Sequence, residues 1–194
     1  RDRLRSRGLG DVYKRQVKYT GMKQIFKGVF HRMKESSLLK RMGEVKRDKE
    51  FHNADTMKTC LIFWVANRED GEWMKKLTKG LKGVKIHKLC FVPDSFSLTP
   101  QQDIVYVRNE DLGFGGKILN TDLPPVLNTP YDLLLDLSDR SSALIDYILK
   151  TSQAKCKIGK AKDNFESDIM LEDVQHTKEL IEGIVQVLSE LKKY

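Results

Sequence analysis

The sequence has few cysteines and no pattern that would make them reactive. Its three cysteines, Cys60, Cys90 and Cys156, are far apart, and no Cys-x-x-Cys motif or Cys/His pair occurs. Structural zinc sites and disulfide frameworks both need clustered ligands, so neither is indicated. Because each cysteine falls inside a predicted strand, we expect three buried, reduced thiols.

Signatures of catalysis and of membrane insertion are also missing. The four histidines are scattered, and no strand–turn–helix motif presents a nucleophilic serine. No apolar run approaches the roughly 20 residues of a membrane-spanning helix. No apolar core of a secretory signal peptide occurs either. The sequence therefore predicts a cytoplasmic protein without a transmembrane segment, and it offers no catalytic residue, metal site or cofactor.

Positive charge is confined to the first quarter of the chain. The formal net charge is +8, but residues 1–50 hold 16 basic and 6 acidic side chains, whereas residues 51–194 hold 19 and 21. The body of the domain is therefore slightly acidic. A nucleic-acid or membrane contact driven by charge would involve the amino-terminal segment.

The first residues of that segment resemble a cloning or sequencing product. Residues 11–16, DVYKRQ, resemble a translated transposon-end sequencing adapter, and the residues before them fit the same read-through. We therefore expect residues 1–21 to be non-native and Met22 to be the natural start. Fold reasoning accordingly begins at Met22.

Residues 22–50 predict a basic amphipathic helix. Apolar residues recur at helical spacing from Ile25 to Met33, and Leu38, Leu39 and Met42 continue the stripe. The other face carries the residues that could contact an anionic surface: Lys23, Lys27, Arg32, Lys34, Lys40, Arg41, Lys46 and Arg47. The helix could pack on the domain or on a second copy of it. It could also lie on an anionic membrane or follow RNA or DNA phosphates.

The stretch from Tyr131 to Gly159 predicts a strand, a turn, a helix and a second strand. Its first seven residues are a nearly continuous apolar run, typical of a strand that is covered on both faces. The serines and the aspartate between Ser138 and Ser142 offer helix-capping oxygens. A strand–helix–strand unit of this kind implies a parallel sheet.

The rest of residues 51–194 fits the same single domain. Residues 59–92 predict another strand–helix–strand unit, short strands are predicted at 103–107 and 168–171, and a long helix is predicted over 174–193. The fold class is therefore α/β, a three-layer sandwich with a mostly parallel sheet of about five strands.

Polar residues follow the predicted strands at their carboxyl ends, where ligands bind in open α/β sheets. The candidates for a ligand crevice are Asn67, Arg68, Asp94, Asp136, Ser138 and Asp139. Asp132 and Asp136 share a face of one strand, so the pair could perform acid–base work, or Asp136 could simply cap the following turn. The glycine-rich stretch Leu112–Lys117 could cradle a phosphate, but no capped helix is predicted after it, so a surface turn is the alternative.

Most of the chain resembles an uncharacterised bacterial family, a domain of unknown function typical of Bacteroidota. The resemblance covers residues 22–194 and is carried by TCLIFWVANREDGEWMKKLTKGLKG, RNEDLGFGGK, YDLLLDLSDRSSALIDYILKTSQAKCKIGKAKD and SDIMLE. It implies a cytoplasmic, Rossmann-like domain without an assigned activity. The stretch YDLLLDLSDRSSALIDYILKTSQAKCKIG is also similar to a segment of ADP-heptose type glycosyltransferases.

Two functions are consistent with these patterns. The first is a non-enzymatic interaction domain whose basic helix contacts a protein partner, a second copy or an anionic surface. The alternative is a domain that binds a small molecule, a nucleotide or a nucleotide sugar, as a degenerate transferase would.

Overall fold

The computed structural model describes residues 32–40, 42, 46–53, 55–68, 70–162, 167–172, 174 and 176–190. The predicted helix between Met22 and His31, including Lys23 and Lys27, lies outside the described residues, as do Arg41 and the segment thought to be non-native. No helix in the described ranges is both long and apolar enough to cross a membrane.

A six-stranded, all-parallel sheet forms the centre of the molecule. Its strands are β1 (Thr59–Val65), β2 (Lys85–Phe91), β3 (Ile104–Val107), β4 (Leu133–Asp136), β5 (Cys156–Lys160) and β6 (Ile169–Leu171). Their order is β3-β2-β1-β4-β5-β6, which is the order of a doubly wound Rossmann-like sheet. The α/β prediction is confirmed, with one strand more than expected and no antiparallel pair among the named strands.

Helices cover both faces of this sheet. They are α1 (residues 32–40), α2 (Asp70–Gly80), α3 (Leu123–Asn128), α4 (Ala143–Thr151) and α5 (Thr177–Glu190). Side chains alternate along β1, so Leu61 and Phe63 face α1, α3 and α4, whereas Cys60 and Ile62 face α2 and α5. Two buried apolar clusters therefore lie on either side of the sheet and complete the predicted three layers.

The capping and cysteine predictions are confirmed. Ser142 caps α4, since its side chain accepts a hydrogen bond from the Ile145 amide at 3.3 Å. Cys60, Cys90 and Cys156 are free and buried in strands.

Two helices differ in detail from the sequence patterns. No capped helix was predicted after the glycine-rich stretch; α3 does follow it, without a side-chain cap, and Pro124 and Pro125 occupy its first turn, where a missing amide hydrogen has no cost. In the long helix predicted over 174–193, the apolar pattern includes Val185; in α5 Val185 is exposed, while Leu180, Ile181, Ile184 and Leu188 are buried.

The amino-terminal helix is also only partly as predicted. Leu38 is 1% exposed and packs into the cluster beneath α1, whereas Met33 and Leu39 are exposed. The helical residues end at Lys40 in the described part, and residues 46–53 run without helix to the start of β1. Of the stripe residues that the structure describes, only Leu38 is fully buried.

Candidate functional site

A cavity opens at the carboxyl edge of the sheet, beyond the ends of β4 and β5. Its volume is about 240 Å³. The loop that follows β4 forms one wall and the end of β5 with the residues after it forms the other. The lining residues are Ser138, Asp139, Arg140, Ser141, Lys160, Ala161 and Lys162. We call this cavity the β4–β5 cleft.

A buried ion pair forms the floor of the β4–β5 cleft. Asp136 is the last residue of β4 and has no exposed surface. Its carboxylate accepts hydrogen bonds from the Ser138 amide at 3.0 Å and from the Ser138 hydroxyl at 2.5 Å. The Lys162 ammonium contacts both the other Asp136 oxygen and Ser138 Oγ. A carboxylate this deeply buried needs such partners, because an uncompensated charge costs several kcal/mol.

Gly159 leaves the space in which this ion pair fits. It is the neighbour of Asp136 in the parallel register between β4 and β5. A Cβ at this position would lie 2.9 Å from Asp136 Cβ and 3.1 Å from Ser167 Oγ. Ser167 is itself buried, and its hydroxyl has no hydrogen-bond partner among the described residues. The absence of a side chain at Gly159 therefore lets Asp136 sit beside β5.

The mouth of the β4–β5 cleft is lined with exposed charges and a hydroxyl. Arg140 Nε lies 3.2 Å from Asp139 Oδ1, and both side chains are more than half exposed. Ser141 donates a hydrogen bond at 2.7 Å to Asp146, in the first turn of α4. Within the described part of the chain, Lys160 makes no ion pair. The lining thus carries three cations and one carboxylate, above the buried Asp136.

The side-chain donors of this arrangement could hold an anion. Ser138 is 2% exposed and its hydroxyl is held between Asp136 and Lys162, so it is not free to act as a nucleophile. No group of three or more His, Cys, Asp or Glu side chains in the described residues could hold a metal ion. Ammonium, guanidinium and hydroxyl groups are donors that suit phosphate or carboxylate oxygens.

The sequence predicted part of this site. Asp136, Ser138 and Asp139 do come together at the cleft, as expected from their place after β4. Asn67 and Arg68 are exposed after β1 and do not line it. Asp94 is exposed after β2, where it accepts a hydrogen bond from Asn109 at 3.2 Å.

The cations of the site were missed. Arg140, Lys160 and Lys162 were not singled out, although Lys160 directly follows the strand predicted to end at Gly159, and Lys162 comes two residues later. The rule that selected Asp136 and Ser138 would have selected these two lysines had it been applied to the end of β5.

Asp132 and Asp136 do not form a catalytic pair. Asp132 precedes β4 at the amino edge of the sheet, where its Oδ2 accepts hydrogen bonds from the Lys58 and Thr59 amides at 2.9 and 3.0 Å. Hydrogen bonds from these amides and from the Thr59 hydroxyl, together with the charge of His52, hold the Asp132 pKa below its ordinary value, although burial acts in the opposite direction. The two carboxylates thus lie at opposite ends of one strand.

The glycine-rich stretch Leu112–Lys117 does not connect the end of a strand directly to the start of a helix. Leu112 and Ile118 form an isolated antiparallel bridge, and Gly113 donates a backbone hydrogen bond to Lys117 at 2.7 Å. Gly116 packs against α1, since a Cβ there would lie 2.6 Å from the Leu38 amide nitrogen. The stretch therefore supports α1 and does not contribute to the β4–β5 cleft.

The basic amino-terminal residues have different surroundings. Arg32, Lys40 and Lys46 are exposed, and Lys34 is half-buried. Arg47 is largely buried: one side-chain nitrogen donates to the Ala154 and Lys155 carbonyls, and another lies 2.5 Å from both oxygens of Asp168. Arg47 thus serves the fold of the domain instead of presenting charge to a surface.

Comparison with known proteins supports the family resemblance but supplies no activity. No curated protein and no solved structure matches the sequence. Residues 31–194 match the family described as "Family of unknown function (DUF6913)", and the chain belongs to that family.

Proposed function

We propose that this protein binds a small anionic molecule, such as a phosphate-bearing nucleotide or sugar, in the β4–β5 cleft. The observation that carries this proposal is the fixed position of the Lys162 ammonium at the floor of a cavity whose other cations are Arg140 and Lys160. Asp136 and Ser138 hold that ammonium in place before a ligand arrives. A pre-positioned donor loses little entropy on binding, which favours affinity.

The location of the cleft supports the same function. Ligands of doubly wound sheets bind beyond the carboxyl ends of the strands, where the strand order reverses, here between β1 and β4. The cleft is at the same edge, one strand further along, between β4 and β5. The volume of about 240 Å³ would admit a phosphoryl group with a small attached moiety. Because the Ser138 hydroxyl is engaged and buried, the proposed role is binding and not group transfer.

The experiment is a thermal-unfolding screen of the full chain with inorganic phosphate, pyrophosphate, ADP and a nucleotide sugar. A ligand that binds only the folded state raises the midpoint, and saturation at about 100 times its dissociation constant adds about 2.7 kcal/mol. We expect at least one of these anions to raise the midpoint in wild type. We expect no rise in the double variant Arg140→Gln/Lys160→Gln, which keeps the buried Asp136–Lys162 pair.

A matched control separates the cleft from general charge. Lys82 is exposed in the turn before β2, at the opposite edge of the sheet, so Lys82→Gln removes a cation away from the site. This variant should respond like wild type. The proposal fails if no anion shifts the wild-type midpoint, or if Lys82→Gln reduces the shift as much as the double variant does.

A second function rests on the exposed cations of the amino-terminal segment. We propose that Arg32, Lys40 and Lys46 contact an anionic partner or membrane surface, since their side chains point to solvent while Leu38 anchors their segment. Vesicles of phosphatidylcholine with and without phosphatidylserine provide the test. We expect the protein to sediment with the anionic vesicles only. High salt, or reversal of these three charges, should reduce the sedimentation. Equal sedimentation with neutral vesicles would contradict it.

We also propose that the protein acts in the cytoplasm of a bacterial cell. The bacterial origin rests on the resemblance of its sequence segments. The location is supported by three buried thiols that form no disulfide, which is the usual state in a reducing compartment. Fractionation of a bacterial host that expresses the full chain should recover it with cytoplasmic markers, and recovery from the periplasm would contradict the assignment.

A further inference from the structure

Residues 46–53 cross the amino edge of the sheet, opposite the β4–β5 cleft, and we call them the strap. Arg47 donates to the Ala154 and Lys155 carbonyls at 2.9 and 2.8 Å. Its guanidinium also pairs with Asp168, the residue before β6. Lys49 Nζ lies 3.0 Å from the same carboxylate. The strap is therefore attached to this edge chiefly through charged groups.

Lys157 lies buried beneath this attachment. It is 2% exposed, and its ammonium donates to the Leu149 carbonyl at 2.6 Å, near the carboxyl end of α4. Its backbone amide donates to Asp168 at 2.8 Å. Among the described residues, the charged groups that act on Lys157 are Arg47 and Lys49 from the strap and Asp168, just before β6, while α4 presents backbone carbonyls. Arg47 and Lys49 thus both pair with Asp168, whose carboxylate also accepts from the Lys157 backbone amide.

These surroundings disfavour the protonated amine. Burial lowers the Lys157 pKa to about 7, the Arg47 and Lys49 charges contribute to the lowering, and Asp168 partly opposes it. Coupling between two events is reciprocal: if a docked strap weakens proton binding to Lys157, a proton on Lys157 weakens docking of the strap by the same factor.

We propose that Lys157 and the strap form a proton-operated latch, in which the strap docks firmly when Lys157 is neutral and loosens when Lys157 is protonated. The strap follows α1 in the chain, so the latch sets how firmly the amino-terminal segment is held against the sheet. The two states differ by one buried positive charge beside Arg47 and Lys49. This device does not depend on ligand binding in the β4–β5 cleft.

The sign of the pH dependence follows from the two states. Undocking removes the Arg47 and Lys49 charges and admits water, so the Lys157 pKa rises toward its ordinary value of 10.5. Near and above pH 7 the undocked state binds more protons than the docked state. Docking of the strap therefore strengthens as the pH rises above about 7. Below pH 7 docking is at its weakest, and Lys157 contributes no further dependence on pH.

Hydrogen–deuterium exchange of the full chain tests the latch. Peptides spanning residues 46–53 are compared at pH 6.5 and 8.5, after correction for the intrinsic exchange rate. Each pKa unit of coupling changes the docking equilibrium tenfold, so we expect protection to rise about tenfold. In Lys157→Met, the rise in protection between pH 6.5 and 8.5 should be lost, whereas the exposed-site control Lys82→Met should behave like wild type.

Peptides from β5 provide an internal reference, because a global change in stability would alter them too. The latch is overturned if strap protection is independent of pH in wild type, or if β5 protection rises by the same factor. It is equally overturned if Lys157→Met keeps the wild-type rise.

A second measurement tests the latch even if Lys157→Met does not fold. The Lys157 side chain is titrated by carbon-13 NMR in wild type and in Arg47→Gln. The latch predicts a higher Lys157 pKa in Arg47→Gln, since a nearby cation has been removed. An unchanged Lys157 pKa would show that strap and amine are not coupled.

Discussion

At the scale of single residues, the chain accommodates a fully buried carboxylate by three local features. Ser138 supplies two hydrogen bonds to Asp136, Lys162 supplies the compensating charge, and Gly159 supplies space. Removing any one of these leaves the carboxylate strained or without a partner. The cost of burying it is therefore met only when β4, β5 and the residues that follow each of them are in place together.

The first prediction concerns Gly159→Ala. The new Cβ would lie 2.9 Å from Asp136 Cβ and 3.1 Å from the Asp136 carbonyl, and Asp136 is held on both sides. We expect the free energy of unfolding, measured by urea denaturation, to fall by about 1–3 kcal/mol.

Gly80→Ala is the matched control for this change. Its Cβ would have Val185 Cγ2 as the nearest neighbour, at an ordinary contact distance of 3.9 Å, at the end of α2. This substitution should leave stability unchanged or raise it by about 0.5 kcal/mol. Equal losses in the two variants would mean that crowding at Asp136 is not the cause.

At the same scale, sequence reasoning found the acidic half of the site and missed the basic half. Asp136 and Ser138 directly follow an apolar run, so the rule for strand ends identifies them. Lys162 is 26 residues from Asp136, and the sequence does not show that the two strands are neighbours whose ends face each other. The position of Lys157 in a predicted strand also does not indicate that its amine reaches the carboxyl end of α4, because that contact depends on how the helix packs on the sheet.

At the scale of elements, α1, the part of the amino-terminal helix that the structure describes, packs on the domain. Leu38 enters the cluster formed with α3 and α4, and the glycine-rich stretch packs against the α1 backbone. Periodicity indicated a helix but overestimated its buried face, since Met33 and Leu39 are exposed. Single-sequence patterns predict which segments are helical more reliably than which neighbour they contact.

The second prediction concerns Gly116→Ala. Gly116 has a φ of +74°, and a Cβ would lie 2.6 Å from the Leu38 nitrogen and 2.8 Å from Ser37 C, both backbone atoms that a rotamer change cannot move. Gly83 has a similar φ of +81° but no atom within 4 Å of its Cβ position.

Both alanine variants therefore incur the strain of a positive φ, about 1–2 kcal/mol. Only Gly116→Ala also displaces α1, so its loss in unfolding free energy should be larger by about 1–3 kcal/mol. Equal losses in the two variants would show that α1 does not pack on this glycine.

At the scale of the whole molecule, the two edges of the sheet have different chemistry. The carboxyl edge holds the β4–β5 cleft with its cations, and the amino edge holds the strap, Asp132, Asp168 and the buried Lys157. The apolar strands and the parallel sheet were predictable because they are encoded in local runs and crossovers. The ion pairs at both edges were not, because each joins residues far apart in the chain.

The third prediction is a maximum of stability at mildly alkaline pH. The Lys157 pKa is about 7 in the folded state and has its ordinary value in the unfolded state, so the unfolded state binds more protons between these values and stability rises with pH from about 7. Burial raises the pKa of Cys60, and raises that of Cys156 to about 12, so the unfolded thiols ionise first and stability falls again as the pH passes about 9.

Urea denaturation under reducing conditions between pH 6.5 and 10 measures this profile. Lys157→Met should lose the rise between pH 7 and 8.5 and keep the fall at higher pH, while Lys82→Met should keep both. A wild-type free energy of unfolding that declines steadily from pH 7 would contradict the assignment of a buried, weakly basic Lys157.

The most direct test of the anion-binding proposal is an NMR titration of the nitrogen-15-labelled full chain with inorganic pyrophosphate at constant ionic strength. Anion binding in the cleft predicts saturable shifts of the backbone amides in two segments, residues 138–141 and 160–162, with smaller changes elsewhere, and none of these shifts in Arg140→Gln/Lys160→Gln. A ligand site in the β4–β5 cleft would be contradicted if neither segment showed shifts, or if the shifts were confined to the amino-terminal residues around Arg32 and Lys40.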